Sequence, residues 1–152
     1  MERSYTELSV WLQSRQLIKR VYELTKQFPK EELFGLTNQM RRAAVSTPSN
    51  IAEGCGRQHT RDTLQFLFVA RGSLFEVETQ SYLARDLAYL AEIELQELLA
   101  AVTDCKKLLQ GFIRYYRSLL PASQVAEDAP RYFSDNGQLT TDNGQLASFD
   151  TF

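Results

Sequence analysis

The chain has 152 residues, 43% of them hydrophobic, and a net charge of -2. That length suits one domain with an ordinary core, and no run of about 18 apolar residues exists to cross a membrane. Two cysteines and one histidine offer three metal-ligating side chains at most, too few for a structural zinc site.

The charge is uneven. Residues 15–61 hold nine bases against four acids, a surplus of +5, and residues 62–104 hold two bases against eight acids, a deficit of -6. The chain is dipolar rather than basic, which argues weakly for nucleic acid. "MERSYTELSVW" carries charges where a secretory signal needs an apolar centre, so a cytoplasmic protein with reduced cysteines and no disulfide is expected.

Apolar residues recur three and four apart over most of the chain, which is the helical period. The spacing predicts a first helix from about Ser9 to Gln27, with Trp11, Ile18, Val21 and Phe28 facing one way and Val10, Leu17 and Leu24 forming a second line. Pro29 stops it. A second helix presents Leu36, Met40, Ala43, Thr47 and Ile51. Pro48 lacks an N–H, so a kink or break near Ser46–Thr47 is expected, with Thr47 capping a new turn. Gly54 or Gly56 then ends the helix in a left-handed cap.

A third helix, from about Thr60 to Leu90, has the inner seam Leu67, Ala70, Leu74, Val77, Ser81, Ala84 and Ala88. Beside it run Phe68, Phe75, Tyr82 and Tyr89, seven apart, the candidate residues of an oligomer interface. Gly72 costs about 1 kcal/mol against alanine in mid-helix, and close helix approach beside Ala70 and Ser73 would offset it. The fourth helix keeps an unbroken seam of Leu95, Leu98, Val102, Cys105, Leu109, Phe112, Tyr116 and Leu119. Cys105 is then a small core hydrophobe. The fold class is all-α: an antiparallel up-down four-helix bundle over residues 1–120. Residues 121–152 form an acidic, mostly disordered tail with the direct repeat "DNGQL".

Chemical motifs are sparse. "STPSNIAEGCGRQ" lacks the strand and the Gly-Lys-Ser/Thr of a phosphate loop. Cys55 has His59 four residues away but no orienting third group. Glu76 and Glu78 are two apart on a helix and point to different faces. No catalytic residue, metal or cofactor is assigned.

The runs "LSVWLQSRQLIKRVYELTKQFPKEELFGLTNQMRRAAVSTPSNIAEGCGR" and "FLFVARGSLFEVETQ" resemble the family of 23S rRNA intervening-sequence proteins, also labelled S23 ribosomal proteins. Its signature falls on Ser46, Asn50, Ile51, Ala52, Glu53, Gly54, Arg71, Gly72, Ser73 and Glu76. The resemblance implies a four-helix bundle assembling as a homopentamer, with no enzymatic activity. A related branch, the accessory protein of diversity-generating retroelements, binds its reverse transcriptase and nucleic acid through a basic surface. The expected function is a non-enzymatic pentameric scaffold binding RNA or a reverse transcriptase-like nucleoprotein partner, with no membrane contact. Arg15, Lys19, Arg20, Arg41, Arg42, Arg57 and Arg61 are the candidate nucleic-acid contacts. The alternative is a protein-binding or structural oligomer that holds no nucleic acid.

Overall fold

The structure is a computed structural model, described over residues 4–122, 132–133 and 139–140. Within the first unit, a 3-10 turn at Tyr5–Glu7 leads into α1 (Ser9–Thr25). A second turn at Lys30–Glu32 leads into α2 (Leu36–Cys55). Then follow α3 (Thr60–Asp86) and α4 (Glu92–Ser118). Cross-helix pairs fix the up-down order. Arg41 Nε donates to Thr25 Oγ1 between α2 and α1, Ser73 meets Ser46 between α3 and α2, and Lys106 pairs with Glu78 between α4 and α3. Arg20 pairs with Glu97 between α1 and α4.

The core is a column of aliphatic side chains. Leu17, Val21, Met40, Ile51, Leu67, Leu74, Val77, Leu98, Val102 and Leu109 are all essentially inaccessible. The buried hydroxyls among them do not go unpaired. Ser14, Thr25 and Ser81 each donate to the carbonyl four residues earlier in their own helix, so these three hydroxyls are satisfied where they are buried.

α1 buries Val10, Leu17, Val21 and Leu24, so the second of its two expected apolar lines is the principal core line. Trp11 and Ile18 are only half-buried.

α2 is continuous through Pro48. The expected break is absent, and Thr47 does not cap a new turn: its hydroxyl returns to the Ala43 carbonyl. Ser49 and Asn50 likewise donate to the carbonyls of Val45 and Ser46. Side-chain donors thus bracket the turn that lacks the proline N–H. The left-handed cap is also absent, because Gly56 closes the helix at φ -82°. Gly54 serves packing instead. A Cβ there would lie 3.1 Å from Phe66 Cβ and 3.2 Å from the Thr63 carbonyl, and Thr63 Oγ1 donates to the Gly54 carbonyl. The glycine lets the ends of α2 and α3 touch.

Two further expectations on α3 fail. Ala88 is not in the seam: the helix ends at Asp86, and Ala88 turns the chain at φ 58° while the Tyr89 and Leu90 N–H groups return to the Ala84 carbonyl. Gly72 marks no close approach within the subunit. It is exposed, and a Cβ there would meet nothing within 4 Å.

On α4 the seam holds through Leu109 and then passes to Ile113, leaving Phe112 and Tyr116 half-buried and Leu119 exposed. Most of the acidic tail expected to be disordered lies outside the described residues. Within it, Tyr132–Phe133 pairs antiparallel with Leu139–Thr140, a short ladder that the sequence did not suggest.

Candidate functional site

The signature residues gather mainly where α2 meets α3. Asn50 Nδ2 donates to the Ser46 carbonyl at 2.8 Å and to its hydroxyl at 3.0 Å, and the Ser73 hydroxyl lies 2.8 Å from Ser46 Oγ. Ser46 and Ser73 of this bridge line an open polar cleft of about 420 Å³ together with Asn38, Gln39, Arg42 and Glu76. Ile51 is buried in the core and Gly54 is the close-packing position. Glu53 is exposed and pairs with Arg57, and Arg71 lies 5.0 Å over the Phe68 ring. The signature is therefore chiefly a recipe for the α2–α3 seam, with Gly72 and Glu76 left on the outside.

The seven candidate nucleic-acid contacts do not converge. Arg41 stacks 4.7 Å over Tyr22, and with Arg42 it edges a groove of about 690 Å³ beside Leu33, Phe34 and Val45. Arg57 and Arg61 lie at the α2–α3 turn, about 24 Å away by the 1.5 Å helical rise over sixteen residues. Arg57 is stacked 4.4 Å over Phe66 as well as paired with Glu53. Arg15 lies 5.0 Å over Trp11, and Arg20 is paired with Glu97. Lys19 and Arg42 are exposed.

The four candidate interface aromatics also divide. Phe75 and Tyr82 are 53% and 50% exposed. Phe68 is half-buried between the guanidinium groups of Arg71 and Arg117, and Lys106 stands 3.9 Å over the Phe75 ring. Tyr89 turns inward. Its hydroxyl donates to Glu32, its ring packs 5.3 Å from Phe28, and the Glu32 bond raises its pKa.

Glu32, within the run that resembles the family, has an architectural role that the sequence pattern did not assign. The same carboxylate accepts from the Leu36 N–H at 2.8 Å and so caps α2, where an anion suits the helix dipole. Gly35 leaves room for it, since a Cβ there would collide with the carboxylate.

At the opposite end of α2, Cys55 lies in a second depression of about 760 Å³ with Tyr5, Leu8, Phe112, Tyr115 and Tyr116. Burial raises the Cys55 thiol above its ordinary pKa, the reverse of what a nucleophile needs. His59 is exposed at the start of α3. Among the described residues no cluster suits a metal ion, and no helix is long and apolar enough to cross a membrane.

The family described as 23S rRNA-intervening sequence protein matches residues 6–111. The chain belongs to that family. Among solved structures, it is similar to a protein of unknown function from the S23 ribosomal protein family of Bacteroides thetaiotaomicron VPI-5482. The two share 24% identity and a TM-score of 0.64, over 68% of this chain and 97% of that one. That likeness concerns the fold. No curated protein matches. The intervening-sequence match ends at residue 111, short of the last turns of α4 and of the tail.

Proposed function

We propose that this intervening-sequence family protein is a non-enzymatic homo-oligomeric scaffold whose subunits join head to tail. The observation that carries the reading is a pair of unlike apolar patches. One is the outer face of α3, where Val69, Phe75, Tyr82 and Leu83 are each about half exposed, with Gly72 among them. The other is the groove of Tyr22, Leu33, Phe34 and Val45, where Phe34 is 89% exposed. Exposed apolar clusters of this kind mark contact surfaces. A ring needs two different, complementary patches, because each subunit offers a different face to each neighbour. Gly72 fits that role: an exposed mid-helix glycine gains nothing in an isolated subunit, whereas in a ring it lets a neighbouring backbone approach. The count of five rests on the family resemblance.

The test is the oligomeric state by sedimentation. Phe34→Glu and Phe75→Glu should each give monomers. Mixed together, they should give a dimer, because one intact groove then meets one intact face. A wild-type monomer at micromolar concentration, or a mixture that remains monomeric, overturns the reading. Gly72→Ala should stabilise the isolated fold by about 1 kcal/mol and weaken assembly.

A second reading, RNA or a nucleoprotein partner held by the basic residues of helices 1 and 2, draws on the exposed Lys19 and Arg42 and the +5 surplus of residues 15–61. Such binding should fall steeply with salt. Its absence at low ionic strength disposes of that reading and leaves the scaffold.

A further inference from the structure

The polar cleft on the α2–α3 seam has a chemistry that the scaffold does not use. Arg42 of α2 and Glu76 of α3 both line it. The contacts of Gly54 with Thr63 and of Ser46 with Ser73 run the two helices antiparallel. Arg42 stands about one turn before Ser46, and Glu76 about one turn after Ser73. Antiparallel packing sets those two positions opposite each other across the seam. Both side chains are exposed, and among the described residues neither has a hydrogen-bond, ion-pair or ring partner. A cation and a carboxylate thus share one small depression without pairing.

The lining between them offers acceptors. Asn50 Nδ2 lies 3.0 Å from Ser46 Oγ, Ser46 Oγ 2.8 Å from Ser73 Oγ, and Ser73 Oγ 3.1 Å from the Val69 carbonyl. A hydroxyl has one hydrogen, and a carbonyl only accepts. All three contacts are satisfied when Asn50 donates to Ser46, Ser46 to Ser73 and Ser73 to Val69. Both hydroxyl hydrogens are then engaged, and each hydroxyl oxygen keeps a lone pair. Together with the Glu76 carboxylate, this end of the cleft suits a group with several N–H donors. The Arg42 end suits a carboxylate, which a guanidinium can hold through two parallel bonds. A lone anion would meet Glu76 and a lone cation would meet Arg42, so the fitting guest carries both charges. Asn38, Arg42 and Ser46 also line the apolar groove of Tyr22 and Phe34. An uncharged side chain therefore has a place beyond the carboxylate. The cleft volume of about 420 Å³ is in the range of small-molecule sites.

We propose that this cleft binds a free α-amino acid with an apolar side chain, its ammonium on Glu76, Ser46 and Ser73 and its carboxylate on Arg42. The site lies within one subunit, so it goes beyond the scaffold reading and does not depend on it.

The experiment is calorimetric titration of the full-length protein with L-alanine, L-leucine and L-phenylalanine. At least one should bind with a Kd of about 1 mM or below. The N-acetyl form of the best binder lacks the cation, and its amide lacks the carboxylate. Each should bind about tenfold more weakly than the parent. Glu76→Gln should weaken the parent and the amide but not the N-acetyl form. Arg42→Gln should weaken the parent and the N-acetyl form but not the amide. Both changes fall on exposed side chains and should keep the helical circular dichroism. The proposal is overturned if none of the three amino acids saturates the protein by about 10 mM. It is equally overturned if the derivatives bind as well as the parent, or if neither variant alters binding. A change in sedimentation without a change in amino-acid binding also overturns it, and would assign the two charges to a neighbouring subunit.

Discussion

The α2–α3 seam and the α4 seam solve the same packing problem in opposite ways. α2 and α3 make the closest backbone approach in the bundle, and α4 shows nothing comparable with any other helix. Between α2 and α3 stand Ala43, Thr47, Gly54, Ala70 and Ser73, small residues tied by the Ser73–Ser46–Asn50 bridge. α4 contributes Leu95, Leu98, Val102, Leu109 and Ile113, large side chains that hold it further out. The first seam is fixed by shape and hydrogen bonds, the second by apolar volume. They should therefore fail differently: the first under added atoms, the second under removed ones.

The largest effect is expected at the volume-dependent seam. Leu98 is fully buried, and Leu98→Ala should cost about 2–5 kcal/mol, since the cavity only partly collapses. Urea denaturation measures it. A loss below about 1 kcal/mol would mean that α4 can move inward to fill the space, and the contrast between seams would be false.

Gly54→Ala tests the other side. The new methyl would meet Phe66 Cβ at 3.1 Å and the Thr63 carbonyl at 3.2 Å. Crowding of this order costs about 1–3 kcal/mol. Gly72→Ala, on the same helix pair but facing outward, should have the opposite sign in the isolated subunit. If both glycines behave alike under urea, the seam is looser than its contacts imply.

These two glycines also show how far the sequence could be read. Helical spacing was enough for four helices, their order and most of the core. It could not say which glycine lies in a contact, because that depends on which faces meet. The α4 seam followed a strict seven-residue repeat correctly to Leu109. A straight α-helix drifts about 20° per heptad from that repeat, so the next inward residue is Ile113 and not Phe112. Pro48 predicted a kink or break from local chemistry alone; the helix is not broken, the proline ring is buried and side chains support the turn around it. The candidate sites were less legible still. Lys106 over Phe75 joins residues far apart in the chain, and the depression beside Cys55 is assembled from three separate segments.

Cys105 belongs to the α4 seam, where it is fully buried. Burial pushes its thiol from 9.0 up to about 11. A raised pKa means that the folded state holds the proton more tightly than the unfolded one. The stability it contributes is complete below pH 9 and is lost as pH rises toward about 11. Cys105→Ala should flatten that alkaline decline, at the cost of a small cavity. An unchanged decline in the variant would assign the alkaline limb to other groups, such as Tyr89 or Tyr116, whose pKa values are also raised.

The smallest expected effect lies between the seams, in the turn from α3 to α4. Ala88 holds φ 58°, a left-handed conformation that costs an L-residue roughly 1–2 kcal/mol. Two N–H groups returning to the Ala84 carbonyl keep it there. Glycine adopts this conformation freely but loses more entropy on folding, about 0.4–1 kcal/mol. Ala88→Gly should therefore stabilise the bundle by no more than about 1 kcal/mol. The turn also places Tyr89 on Glu32, and Glu32 caps α2. If Ala88→Gly destabilises instead, the alanine is part of what holds Tyr89 in place. The α3–α4 turn would then be coupled through Glu32 to the tight α2–α3 seam rather than independent of it.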